Sequence, residues 1–320
     1  RPDLLGAEHT QRLAEQLYET FAHRLAPLPD DVIVYPGHTA GSSCGKKIGD
    51  APHTTLGQER RFNYALQPAA LASSEAFITA VLSGMPTPPT YYPTMKRVNK
   101  AGPALLSELP AGQPLSPEDV DRLLADGALM IDGRSPQAFL QGHLPGSYFA
   151  GDDPDFVNWA GWLAPYGRQL ILIVDDEARF HEARTELRRI GLDTVAGYLA
   201  GGIDSWRATG RPLASVSALT VQELHHRLST ANGLAVLDVR TSDEWKRGHI
   251  PQAVHRFVGE IAKGADIPMN GAREIAITCA SGYRSTVAIS LLEARGRAAL
   301  LNVEGGMDAW LAAGLPVEVE

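Results

Sequence analysis

The chain has 320 residues, 44% of them hydrophobic, and a formal net charge of −8. This length fits two or three domains with ordinary cores, and the acidic balance argues against nucleic acid or an anionic membrane surface as partner. No apolar run approaches the roughly 20 residues that span a bilayer, no signal peptide is evident, and two cysteines without a Cys-x-x-Cys pair offer neither a disulfide framework nor a zinc knuckle.

In chain order, Ala7 to Leu25 predicts an amphipathic helix with Leu13, Leu17, Phe21 and Leu25 on one stripe. Pro27 and Pro29 end it. Val32 to Tyr35 predicts a short buried strand, followed by the loop Pro36 to Gly41. Thr55 to Leu66 and Ser73 to Ser83 predict two further helices. Met85 to Pro103 is rich in proline and reads as a linker, with Tyr91-Tyr92-Pro93 packed against a neighbouring surface. A segment 1–100 with one clear strand is a poor candidate for an independent domain. The chain begins at Arg1 rather than at a methionine, which leaves room for residues before it.

The remainder is an internal repeat. Ile131-Asp132-Gly133-Arg134 and Gly142-His143-Leu144-Pro145 are echoed by Leu237-Asp238-Val239-Arg240 and Gly248-His249-Ile250-Pro251, with one spacing throughout. Gly201-Gly202-Ile203-Asp204-Ser205-Trp206 is echoed by Gly305 to Trp310. The copies span residues 104–214 and 217–320. In the second, strand-like Ala235 to Val239, Ile275 to Thr278 and Ala299 to Val303 alternate with helix-like Val221 to Leu228, Ser242 to Arg247 and Ser285 to Arg295. This predicts α/β domains with central, mostly parallel sheets. His143 and His249 recur in both copies and read as braces of the fold. His225 and His226 read as solvated.

Cys279 opens Cys279-Ala280-Ser281-Gly282-Tyr283-Arg284-Ser285, between a strand-like and a helix-like stretch. At such a turn backbone N–H groups converge and the helix dipole is positive. Both favour a thiolate, the nucleophilic form. Gly282 lets the loop curl, and Arg284 adds positive charge beside the sulfur. The alternative is a buried, inert cysteine; the polar, glycine-containing loop argues for an accessible one. When the Gly-Gly pairs are aligned, Asp175 stands where Cys279 stands, and Asp176-Glu177-Ala178-Arg179 follows it. A carboxylate lacks the nucleophilicity of a thiolate and repels an anionic substrate. The first copy therefore reads as a packing or docking module, with a dedicated acidic site as the sharper alternative.

The Cys-x-x-Gly-x-Arg-Ser run resembles the active-site loop of rhodanese-type sulfurtransferases. The runs around Asp238, Glu244 and Gly248 to Pro251 resemble that family's N-terminal signature, and Gly305 to Trp310 with Gly314 to Val317 its C-terminal one. Gln252 departs from the family, which usually has Gly there. The resemblance implies two three-layer rhodanese domains and sulfane-sulfur transfer. Cys279 would carry a persulfide cradled by the N–H groups of Ala280, Ser281, Gly282, Tyr283 and Ser285. Arg284 would orient an anionic donor, while Asp238 and Arg240 would position the loop or substrate.

Tyr35-Pro36-Gly37-His38, Gly41-Ser42-Ser43-Cys44-Gly45 and Thr54 to Arg61 resemble the C-terminal part of a metallo-β-lactamase αββα fold, in its persulfide dioxygenase and glyoxalase II branch. Arg1-Pro2-Asp3-Leu4 resembles the segment after that family's metal-binding aspartate. In this resemblance His38 matches a histidine of the metal pocket, yet the His-x-His-x-Asp-His motif is absent from the chain. One imidazole cannot hold an iron or zinc that takes about three protein ligands. The expectation is no cofactor in this chain, with Fe or Zn only where upstream ligands complete the site. Cys44 reads as structural, and His38 alone equally as a loop histidine.

The implied partners are a small sulfur donor, such as thiosulfate or glutathione persulfide, and a thiol acceptor. A homo-oligomer is left open. An unprotected thiol points to a reducing, cytoplasmic setting. Three other readings compete: an interaction module with an incidental cysteine, a glyoxalase II-type hydrolase given upstream ligands, and a rhodanese-fold phosphatase. The last needs a longer loop, whereas only Ala280 to Tyr283 separate Cys279 from Arg284.

Overall fold

The runs Leu170–Ile173 and Glu274–Thr278 carry little polar alternation, the pattern of a strand covered on both faces. Each lies at the centre of a five-stranded sheet. A computed structural model describes residues 1–320 except 39–44, 47, 86, 153, 231, 232 and 270. The chain forms two compact units, Arg1–Lys96 and Arg97–Glu320.

In the first unit, α1 (Ala7–Thr20) runs into a π-helical turn over Phe21–Leu25. β1 (Ile33–Val34) pairs antiparallel with β2 (Thr54–Thr55), and α2 (Leu56–Phe62), α3 (Pro68–Leu71) and α4 (Ser74–Leu82) follow. Leu17, Tyr18, Phe21, Tyr64 and Leu71 close around Ala65, Phe77 and Val81, so this segment has a small core of its own.

Three expectations for the N-terminal hundred residues need correction. The strand expected over Val32 to Tyr35 is two residues long and not buried: Ile33 is 55% and Tyr35 74% exposed. Its ladder partner, β2, is equally short and brings no covering layer. The helix expected to reach Leu66 stops at Phe62, because Asn63 leaves helical geometry and its side chain accepts a hydrogen bond from the Ala65 N–H at 3.0 Å. The expected linker contains a helix, α5 (Tyr92–Ala101), with Pro93 in the first turn, where a missing N–H costs nothing. Tyr91, just before it, is buried.

The first repeat comprises β3 (Gln113–Leu115), α6 (Pro117–Ala125), β4 (Leu129–Asp132), α7 (Pro136–Gln141), β5 (Tyr148–Phe149), α8 (Phe156–Leu163), β6 (Leu170–Ile173), α9 (Glu177–Arg189), β7 (Val195–Leu199) and α10 (Gly202–Ala208). The second repeats the series as β8 (Ser217–Leu219), α11 (Val221–Thr230), β9 (Leu234–Asp238), α12 (Ser242–Lys246), β10 (Val254–His255), α13 (Val258–Ala262), β11 (Glu274–Thr278), α14 (Tyr283–Ala294), β12 (Leu300–Val303) and α15 (Gly306–Ala312). Strand orders are β3-β7-β6-β4-β5 and β10-β9-β11-β12-β8, equivalent in the two copies, with every pairing parallel. Among the described residues no helix is long and apolar enough to cross a membrane.

Both copies share a buried lock. Arg134 is bidentate to Asp132 and donates to the Gly142 carbonyl at 2.8 Å; Arg240 does the same with Asp238 and Gly248 at 2.8 Å. The ring Nδ1 of His143 meets the Phe139 carbonyl at 2.9 Å, and that of His249 meets Trp245 at 3.1 Å. Both rings stack on those aromatic side chains, and both backbones bridge to the end of their copy, at Ala214 and Glu318. These histidines brace the fold. His225 and His226 are exposed on α11.

The helix after Cys279 is buried almost all round, from Ser285 to Leu292. One face lies on its own sheet and the other on the first repeat. There Ser290 Oγ accepts from the Phe149 N–H at 3.0 Å, and Glu293 meets His143 Nε2 at 3.0 Å. This explains why α14 lacks the one-sided apolar stripe of a surface helix.

Candidate active site

Parallel order places the ends of β9, β10 and β11 side by side, at the edge where open α/β sheets build their sites. Cys279 follows β11. Gly282 caps α14 with φ +112°, a conformation open to glycine, and supplies no capping side chain. The orphan N–H of Gly282 instead points at sulfur, 3.1 Å from Cys279 Sγ. The sulfur therefore fills the anion position at the start of a twelve-residue helix.

The loop is held from behind by α15. The N–H groups of Met307 and Asp308 donate to the carbonyls of Cys279 and Ala280 at 2.8 and 2.9 Å. A Cβ on Gly306 would lie 2.4 Å from the Cys279 carbonyl oxygen, so only glycine permits this approach. Packing from this side corrects the expectation of an accessible thiol: Cys279 is 1% exposed. Ser281, at the outer turn of the loop, is exposed.

The other candidate residues separate into groups. Ser285, fully buried, places its hydroxyl 3.7 Å from Sγ, 2.8 Å from the Gly282 carbonyl and 2.7 Å from Asn302 Oδ1. Arg284 forms a bidentate pair with Glu244, both contacts 2.7 Å. Burial alone would raise the Glu244 carboxyl; Arg284 and the Thr241 hydroxyl and N–H outweigh it and hold it down at about 2. Burial works against the Arg284 charge, but Glu244, with Cys279 and Asp238 behind it, raises its pKa and keeps it cationic. Asp238 and Arg240 face each other in the buried lock rather than the sulfur. Tyr283 sends its hydroxyl away from the loop, to the Ala150 carbonyl of the first repeat. Burial, then the charges of Asp155 and Asp152, push its pKa up, so it remains a neutral donor.

The loop of the first copy is built differently and corrects the alignment of Asp175 with Cys279: Ile173 pairs with Asp132 as Thr278 pairs with Asp238, so buried Val174 holds the place of Cys279, and the loop to the helix cap is one residue shorter. Its helix is capped by Asp176, whose carboxylate accepts from the Arg179 N–H at 2.8 Å. An anion from the protein itself already occupies that helix start.

His38, beyond β1, is exposed. Cys44 lies outside the described residues. Among the described residues no three His, Cys, Asp or Glu side chains come together. Among the described residues the donors present do not fit an iron or zinc centre.

Sequence reasoning missed Asn302, although a buried amide in the otherwise apolar run Leu300–Val303 is a legible signal. It also missed the partnership of Glu244 with Arg284, which joins residues forty apart.

Comparison with known proteins agrees with this geometry. The rhodanese-like domain family matches residues 116–209 and 220–313, more than half of the chain. A sulfurtransferase of Allochromatium vinosum is 33% identical over 103 residues, which is 32% of this chain and 94% of that protein. Thiosulfate sulfurtransferase 18 of Arabidopsis thaliana is 34% identical over 102 residues, 28% of this chain and 75% of that one. YrkF of Bacillus subtilis is 33% identical over 97 residues, 30% of this chain, and the chain spans only about half of it, 52%. A crystal structure of a metallo-β-lactamase from Staphylococcus aureus subsp. aureus COL is a structural neighbour that takes in the N-terminal part, with 31% identity and TM-score 0.52, covering 62% of this chain and 54% of that one. The chain belongs to the rhodanese-like domain family, whose fold it carries twice, beside a metallo-β-lactamase-like N-terminal segment.

Proposed function

We propose that this chain is a sulfurtransferase that moves sulfane sulfur through a persulfide on Cys279. The observation that carries the reading is the Gly282 N–H on Cys279 Sγ at a helix start, which stabilises negative charge on that sulfur and on a sulfur bound to it. The named activities of the relatives support it.

In the first half-reaction the Cys279 thiolate attacks the outer sulfur of thiosulfate. The Sγ–S bond forms, the S–S bond to the sulfonate breaks, and sulfite leaves with the electron pair. In the second, an acceptor thiolate attacks the terminal sulfur and Cys279 leaves as thiolate. No net oxidant or reductant is needed. This is nucleophilic covalent catalysis in which an N–H nest replaces a separate base. A low-molecular-weight persulfide such as glutathione persulfide serves equally as donor, and its thiolate then leaves. Such a thiol works in a reducing compartment, and the cytoplasm is the proposed location. Within a complete metallo-β-lactamase-fold domain, the transfer would be coupled to persulfide dioxygenation.

The burial of Cys279 favours one competing reading, an interaction module with an inert thiol. Intact mass of the protein before and after thiosulfate separates the two. The expected result is a gain of one sulfur atom, lost on adding thiol and absent in Cys279→Ser. A thiosulfate-treated parent with unchanged mass favours the module.

A further inference from the structure

We propose that Asn302 is a positioning residue for the sulfur chemistry, acting through Ser285; the inference rests on the persulfide reading above. Asn302 is 5% exposed, on the strand next to the one that delivers Cys279. Its side chain reaches Ser285 Oγ at 2.7 Å, and Ser285 Oγ reaches Cys279 Sγ at 3.7 Å.

Hydrogen-bond accounting gives the pair its role. The Ser285 hydroxyl has one proton and two lone pairs. With the thiol present, Sγ–H donates to Ser285 Oγ, and the serine proton is shared between Asn302 Oδ1 at 2.7 Å and the Gly282 carbonyl at 2.8 Å. With a thiolate or persulfide anion present, the sulfur no longer donates and calls for a second donor beside the Gly282 N–H. The serine proton must then turn toward it and leave Asn302. An asparagine supports both states, because its amide accepts through oxygen and donates through nitrogen, and the two orientations have the same shape. Asn302 thus keeps Ser285 satisfied while the polarity of the chain reverses with the charge on sulfur. In a dry site an unsatisfied partner would oppose that reversal.

The silent copy serves as an internal control. It keeps the Asp132–Arg134–Gly142 lock at the distances of its counterpart. By sheet register and helix caps, however, Val174, Arg179 and Tyr198 stand where Cys279, Ser285 and Asn302 stand. Arg179 turns to Glu186 at 3.3 Å, and Tyr198 packs on Phe180. The lock goes with the fold; the Ser–Asn pair goes with the thiol.

The test is the single-turnover rate at which the full chain takes up sulfur from thiosulfate, read by intact mass. Asn302→Leu keeps the side-chain shape in an apolar strand. It should slow uptake about tenfold, the worth of one lost hydrogen bond, with half-saturation by thiosulfate changed less than about twofold. Ser285→Ala should slow it comparably, and adding Asn302→Leu to Ser285→Ala should slow it no further. Asn302→Asp, which accepts but does not donate when ionised, is made in both backgrounds and decides the matter if the leucine variant does not fold. An Asn302 variant that matches the parent overturns the inference. So does one that slows uptake equally with and without Ser285, because the residue would then act on the fold or directly on charge. A parent that takes up no sulfur overturns the sulfurtransferase reading itself, which is a distinguishable failure.

Discussion

The Tyr283 hydroxyl rests on the main-chain carbonyl of Ala150, so the first residue of the catalytic helix is anchored in the copy that lacks a cysteine. Gly151 makes room for it: a Cβ there would lie 2.1 Å from the hydroxyl oxygen, and φ at that position is +76°. Gly151→Ala should therefore destabilise the unit by about 1–3 kcal/mol, through overpacking and backbone strain. It should also slow sulfur uptake, because Tyr283 directly follows Gly282. Thermal melting and uptake rate check this. A variant with parental values in both would remove the silent copy from any role in shaping the loop.

Gln252 has φ +67° and is exposed, at the third position of a turn closed by Ala253 N–H on the Ile250 carbonyl. The equivalent turn of the first copy has Gly146 there, φ +84°. Left-handed geometry costs a side chain about 1–2 kcal/mol, and glycine gives part of that back as unfolded-state entropy. Gln252→Gly should stabilise the protein by about 0.5–1 kcal/mol with sulfur transfer unchanged. Denaturant melts decide, and a loss of stability would contradict the turn argument.

The sequence was most legible where a motif is short and local. The Cys279 loop, the Asp–Arg runs and the central strands β9 and β11 are each set by a few neighbouring residues, and the repeat doubled the signal. What was not legible depends on partners far along the chain. The burial of Cys279 is imposed by Gly306 and the start of α15. The outward turn of Tyr283 is imposed by Gly151, in the other copy. From the motif, Asp238 and Arg240 read as positioning groups for the loop or substrate. Their mutual bonds, repeated by Asp132 and Arg134 in a copy without a thiol, show a brace of the sheet edge that the motif alone does not distinguish from a substrate contact. In the N-terminal segment the apolar pattern of Val32 to Tyr35 was clear, but burial needs a second layer that a strand's own sequence does not record.

Glu244 ties α12 to the catalytic helix through Arg284. Its carboxyl is held at about 2, below the ordinary 4.5. A depressed carboxyl contributes stability that is fully present above about pH 4.5 and is lost as pH falls toward about 2. The melting temperature should fall over that window. Glu244→Gln should flatten the acid limb and cost roughly 1–2 kcal/mol near neutral pH, the worth of a charged hydrogen-bonded partner. An acid limb of the same slope in the glutamine variant would show that other carboxylates set it.

Asp175→Cys should not create a second active site. The cysteine would stand one residue past the place of Cys279, which Val174 holds by sheet register, and two features of its surroundings oppose a thiolate. Asp176 caps α9 where Gly282, whose φ of +112° brings its N–H to sulfur, caps α14. The Asp176 carboxylate already accepts at the start of α9, from the Arg179 N–H at 2.8 Å, so a second anion there meets a filled site and like charge. The measurement is intact mass after thiosulfate in an Asp175→Cys/Cys279→Ser double variant, where any added sulfur belongs to the new thiol. No added sulfur is expected. Clearing the site with Asp176→Gly as well should bring uptake up from zero, though well below the parent, since Arg179 and Tyr198 stand in place of Ser285 and Asn302. Sulfur on the cysteine of the double variant would mean that a strand-to-helix turn alone suffices, and that the N–H contact at Gly282 is not what makes Cys279 the carrier.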